Sequence, residues 1–122
     1  MPLLSPDQDA VVRALLRDAI TTLGVGYRTG FASAVARDAQ LLLDVHSASA
    51  IEDFTQKLVD DFQQLVHDHF IDVSWPRCPL HPNHPLWLRD GVWRCTRDDV
   101  AVARLGELPA PSTEGAVDHG PL

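Results

Sequence analysis

The chain has 122 residues and a formal net charge of −7, enough for one domain or one domain with an appended module, and too acidic for broad capture of phosphate backbones. No apolar run is long enough for a membrane span, and Asp7 and Asp9 stand where a secretory signal is basic, so no membrane association and a cytoplasmic location are expected. The charge is uneven: residues 1–76 hold five basic and eleven acidic side chains, whereas residues 77–105 hold five Arg and three Asp.

Ser5-Pro6-Asp7-Gln8 predicts a helix start, with Ser5 as cap, Pro6 in the first turn and Gln8 completing a capping box. Val12, Leu15, Leu16, Ala19, Ile20 and Leu23 follow at helical spacing, with Arg13, Arg17 and Asp18 mostly outside the stripe, and Gly24 closes the helix. Residues 25–47 read two ways. Gly24, Gly26 and Gly30 interrupt a helix, and Tyr27, Thr29 and Phe31 alternate, which favours a β-hairpin turning at Ala36–Ala39 into a second strand over Leu41–Val45; a helix over 32–45 is the competing reading.

Ser49-Ala50-Ile51-Glu52 is a second capping box, opening a helix to about residue 70 with Ile51, Phe54, Leu58, Phe62, Leu65, Val66 and Phe70 on its apolar stripe. Ile71–Trp75 leads out as an extended segment, and Pro76 marks a junction. Leu86–Leu88 and Val92–Cys95 flank Asp90-Gly91, a hairpin signal, and Val100–Leu105 supplies a third strand. The expected fold class is α+β, divided into an α+β body (1–74), a small β module (75–105) and a flexible tail (106–122) rich in Pro, Gly, Ser and Glu.

The chemistry concentrates between residues 78 and 98, where both cysteines, two of the six histidines and two of the three tryptophans fall within 21 residues. Cys78-x2-His81 has the spacing of a metal knuckle, and Pro79, Pro82 and Pro85 stiffen the loop, lowering the entropy lost on assembly. Cys95, at the end of the hairpin, returns a thiolate. The fourth ligand is His84, the better donor, or Asp98, for which Cys95-x2-Asp98 mirrors the first knuckle. A ligand-free proline-rich loop and a Cys78–Cys95 disulfide are the competing readings, the latter disfavoured without a secretory signal.

The segment 75–105 resembles zinc-ribbon and rubredoxin-type knuckles, usually two Cys-Pro-x-Cys-type turns on a β-hairpin. Cys78-Pro79 matches the first knuckle, with His81 in place of its second cysteine; Cys95 matches the first position of the second, with Asp98 or His84 standing in for its last cysteine. The segment is also similar to the tails of small uncharacterised proteins of high-GC bacteria, which implies no activity. The resemblance implies a structural zinc ion on Cys78, His81, Cys95 and His84, or Asp98 in its place.

No H-x-E with P-C-x-x-C and no H-E-x-x-H accompanies the knuckle, so catalytic residues are not assigned. His67-Asp68-His69 and Asp44-x-His46 lack the spacing or the nucleophile for a site, and Gly24-Val25-Gly26 lacks the third glycine of a dinucleotide loop. Trp87, Trp93 and Arg94 are interface-type side chains. The expected function is a non-enzymatic accessory or protein-interaction module stabilised by zinc, acting on a protein partner. The alternatives are a nucleic-acid-binding ribbon using Arg77, Arg89, Arg94, Arg97 and Arg104, and a hydrolase with an open metal position served by a body residue such as His69.

Overall fold

A computed structural model describes residues 4–24, 26, 28–46, 51–70, 75–79, 81 and 84–110, the side chains of 44–46, 69 and 70 excepted. Three helices, α1 (Pro6–Leu23), α2 (Arg28–His46) and α3 (Ile51–Leu65), precede three strands, β1 (Trp87–Arg89), β2 (Val92–Cys95) and β3 (Val100–Arg104). The strands form one antiparallel sheet in the order β1-β2-β3, so the fold is α+β.

α1 begins as its sequence dictates. Ser5 Oγ accepts from Gln8 N at 3.1 Å, and Gln8 Oε1 accepts from Ser5 N at 2.9 Å, satisfying two donors that a helix start leaves open. Gly24, at φ 110°, ends the helix with its N–H on Ile20 O at 2.9 Å. The Ser49 cap lies outside the described residues. α3 carries its stripe as expected, with Phe54, Leu58 and Phe62 buried, and runs into a wider π turn over Val66–Phe70. Ile71–Ser74 lie outside the described residues.

The hairpin expected over residues 25–47 is replaced by α2. Phe31, Val35, Ala39, Leu42 and Leu43 are all buried, and their intervals of three and four residues line one side of a helix, which a strand of period two cannot do. The Tyr27-Thr29-Phe31 alternation is thus not a strand signal; Thr29 and Phe31 lie in the first turns of α2, and Tyr27 is outside the described residues. Gly30 is tolerated near the helix start, where its conformational cost is outweighed by burial of the face that follows.

One hydrophobic cluster runs through both halves of the chain, from Leu15 and Ala19 of α1 to Leu88, Trp93 and Cys95 of the sheet. Its axis is a series of edge-to-face aromatic contacts: Phe31 on Phe62 (5.4 Å), Phe62 on Trp75 (5.3 Å) and Trp75 on Trp93 (5.7 Å). Each pair adds about 0.5–1.5 kcal/mol beyond area burial. Trp75 Nε1 donates to Thr22 Oγ1 at 2.8 Å, so its polar edge is satisfied within the core. Gln63 of α3 donates through Nε2 to Trp75 O (3.0 Å) and Leu86 O (2.9 Å), pinning the approach to β1 against the helix.

Asp18, assigned by its spacing to the outer side of α1, is fully buried. Its carboxylate accepts from Trp93 Nε1 (2.8 Å), Gly106 N (2.7 Å), Leu108 N (3.0 Å) and Arg17 Nη1 (2.9 Å). Residues 106–110, placed by composition in the tail, therefore include a packed segment in which Leu108 is buried; residues 111–122 lie outside the described residues.

Candidate metal centre

The strand ribbon brings two turns side by side. In the first, Cys78 N donates to His84 O (3.0 Å), His81 N to Cys78 O (3.2 Å) and His84 N to His81 O (2.8 Å). An antiparallel bridge between Arg77 and Pro85 and the bond from Leu86 N to Pro76 O (2.7 Å) close the loop at its base. Leu80, Pro82 and Asn83 lie outside the described residues.

The second turn follows β2. Its register is set at the other end of the hairpin, where Asp90 (φ 53°) and Gly91 (φ 78°) form a two-residue turn between Arg89 and Val92. That spacing places Trp93 and Cys95 on the buried face. Beyond Cys95 the chain turns back, and Asp98 N donates to Cys95 Sγ at 3.5 Å. The sulfur thus carries a backbone donor of the kind that supports a thiolate.

His81 Nε2 lies 2.8 Å from Asp98 Oδ2. Together with Cys95 Sγ, one ligand atom from each of His81, Cys95 and Asp98 falls within 4.8 Å of the others. The sulfur is buried, whereas the His81 and Asp98 side chains are 25% and 42% exposed, so the group opens to solvent on one side. Thiolate, imidazole and carboxylate are a donor set suited to zinc. In a zinc tetrahedron neighbouring donors stand roughly 3.3–3.8 Å apart, as bond lengths near 2.0–2.3 Å require. The group could therefore hold a metal ion, with the 2.8 Å His81–Asp98 contact having to open for a tetrahedron to form.

The other expected ligands stand differently. Cys78 is buried at the start of the first turn but is not one of the three grouped ligands. His84 is exposed, and its Nε2 faces Arg97 Nη1 at 2.9 Å, an arrangement in which the ring nitrogen accepts from the guanidinium. Both cysteines are free, so the disulfide reading is not realised.

The expected interaction surface is split by the sheet. Trp93 is fully buried, which removes it from any surface: its place opposite Leu88 and Ala103 turns it into the core. Trp87 and Arg94 are Cα partners across β1 and β2; Trp87 is 43% exposed, while Arg94 bonds Asp99 Oδ1 at 2.9 Å. Trp87 and Arg89 also form one wall of an open groove of about 720 Å³ whose opposite wall is Gln56, Asp60 and His67 of α3 and its π turn. The side chains of Asp44, His46 and His69 lie outside the described residues.

One further carboxyl is perturbed. Asp38 of α2 is raised from 3.8 to about 7, by burial first and then by a hydrogen bond and the negative charge of Asp61 on α3, with Lys57 opposing. It borders a cavity of about 60 Å³ with Val35, Leu58 and Phe62, and its Oδ2 is buried without a hydrogen-bond partner. Sequence reading missed both Asp38 and Asp18. Helical spacing sets Asp18 three residues after Leu15, and Asp38 three after Val35, which is a usable signal once α2 is known to be a helix.

No helix among the described residues is long and apolar enough to cross a membrane. No family model, curated protein or solved structure matches this chain.

Proposed function

We propose that this chain is a non-enzymatic accessory or protein-interaction module whose ribbon is locked by a structural zinc ion. The observation that carries the reading is the convergence of His81, Cys95 and Asp98 from two separate turns upon one point. Strands of three to five residues hold little structure by themselves. A metal bridging the 78–84 turn to the 95–99 turn would fasten the end of the sheet opposite the Asp90-Gly91 turn. Cys78, buried in the first turn, would supply a fourth donor.

When bound, zinc would act as a cross-link holding the two turns. His81, Cys95 and Asp98 would hold the ion, and the Asp98 N–H on Cys95 Sγ would stabilise the thiolate. With the ribbon fixed, Trp87 offers an aromatic anchor to a protein partner, since large exposed aromatics at a rigid surface are common binding hot spots.

The test is elemental analysis of purified protein, with Cys95→Ser and Asp98→Ala beside the parent chain. One equivalent of zinc in the parent, lost in both variants together with ribbon stability, is expected. Metal-free protein that folds normally overturns the proposal. A Trp87→Ala variant that kept every co-purifying partner would remove the interaction half while leaving the metal half standing.

A further inference from the structure

The two edges of the sheet are finished differently. β1 lies against α3, and the Gln63 amide secures the residue before it. β3 packs on β2 and on no other helix or strand among the described residues. Sheets guard such an edge with short strands, bulges, proline, lysine, an inward charge or a covering element. Val100-Ala101-Val102-Ala103-Arg104 is short and carries a bulge that leaves Val102 without a Cα partner in β2, but it has no proline, lysine or inward charge. Val100 is 42% exposed, one of the three exposed large apolar side chains among the described residues.

Hydrogen-bond parity points the backbone outward. Leu105 N donates to Gly91 O at 2.9 Å, so position 105 faces β2 and the Arg104 N–H faces the open edge, while Arg104 O accepts from Glu107 N at 2.9 Å. The ends of the strand carry opposite charges. Asp98 and Asp99 precede it, the first paired with His81 and the second, 91% exposed, with Arg94; Arg104 closes it, exposed and with no ion-pair partner among the described residues.

We propose that the free edge of β3 is a self-association surface on which a second copy of this chain lays its own β3 antiparallel, joining two three-stranded sheets across a two-fold axis. Antiparallel pairing sets Arg104 of each copy beside the Asp98–Asp99 end of the other, whereas parallel pairing sets like charges together. A two-fold axis repeats each favourable contact, and the Val–Ala surface allows close approach without a bulky side chain. Asp98 belongs to the candidate metal group, so the charges tested below are Arg104 and Asp99, neither of which is among its donors.

Sedimentation analysis across the micromolar range, with the full chain, tests the edge by charge exchange. Wild-type protein is expected to dimerise, and less tightly as salt rises. Arg104→Glu and Asp99→Arg should each weaken self-association about tenfold or more, because the symmetric dimer repeats the like-charge contact twice. Mixing the two variants should restore the dimer, since one contact then brings the two exchanged charges together and the other keeps the native pair of Arg104 with Asp99. Circular dichroism and melting of each variant verify folding; were either unfolded, the salt dependence and the Arg104→Ala variant, which should also weaken the dimer, carry the test. A monomeric wild type overturns the proposal, as does a dimer that both variants leave unchanged or that mixing fails to restore.

Discussion

Trp93 Nε1 donates to Asp18 Oδ2 across 2.8 Å inside the core, and this bond joins the middle strand of the sheet to α1. The other oxygen takes Leu108 N, and Gly106 N shares the first, so one side chain organises β2, α1 and the segment after β3. A buried carboxylate is costly to desolvate, and this one is compensated by donors on every approach.

Asp18→Ala leaves the Trp93, Gly106 and Leu108 N–H groups buried without an acceptor. The expected loss of stability is about 3–5 kcal/mol, a large part of what a domain of this size holds. Asp18→Asn keeps the shape and one acceptor and should cost about 1–3 kcal/mol. Urea unfolding of the three proteins measures both; an alanine variant as stable as the parent would remove Asp18 from its central place.

Gly106→Ala tests the same junction from the other side. Gly106 has φ 93°, a conformation other residues avoid, and a Cβ there would lie 2.9 Å from Ala14 Cβ. Strain and overlap together are expected to cost about 1–3 kcal/mol, read as a lowered urea midpoint. Because Ala14→Gly by itself costs about 1 kcal/mol inside α1, the double variant is compared with Ala14→Gly alone, against which Gly106→Ala should cost less than it does in the parent. An equal cost in both backgrounds would place it wholly in the backbone.

These features show which parts of the fold the sequence exposes and which it conceals. The capping box of α1, the stripe of α3 and the Asp90-Gly91 hairpin are local, and each appears as its residues imply. α2 is less legible because its buried face is mostly alanine, valine and leucine, preceded by three glycines and a short alternation that imitates a strand. Asp18 is hidden for another reason: apart from the adjacent Arg17, its partners are 75 to 90 residues away, and nothing near it in the chain announces them. The metal candidates could be read from Cys-x2-His and Cys-x2-Asp spacing, but that His84 pairs with Arg97 depends on how the two turns meet.

Asp38 gives the molecule a dependence on pH between α2 and α3. Its folded pKa, about 7, lies above the ordinary 3.8, so the folded chain holds a proton that the unfolded chain releases. The stability from this group is fully present below about pH 4 and is lost as pH rises through about 7, the reverse of an ion-paired aspartate. The contribution is moderated by solvent, because Asp38 is only half-buried. Urea midpoints taken from pH 5 to 8 should fall for the parent more steeply than for Asp38→Asn, whose amide carries no charge to expel. Parallel profiles would locate the pH dependence elsewhere.

Asp98 and His84 are the two choices for a further metal ligand, and their surroundings separate them. Asp98 shares a 2.8 Å contact with His81 and its own N–H meets Cys95 Sγ, whereas His84 is turned to Arg97. A chelator competition with zinc should therefore find His84→Ala close to the parent. Asp98→Ala should lose affinity by at least about tenfold, the scale set by disturbing even the supporting groups of a metal site. Cys78→Ser decides whether the buried first cysteine completes the set: a loss as large as that of Cys95→Ser makes it a ligand, and retention of zinc makes it a core residue. Should His84→Ala lose the metal while Asp98→Ala keeps it, the two turns would have to bind the ion in a different arrangement from the one described.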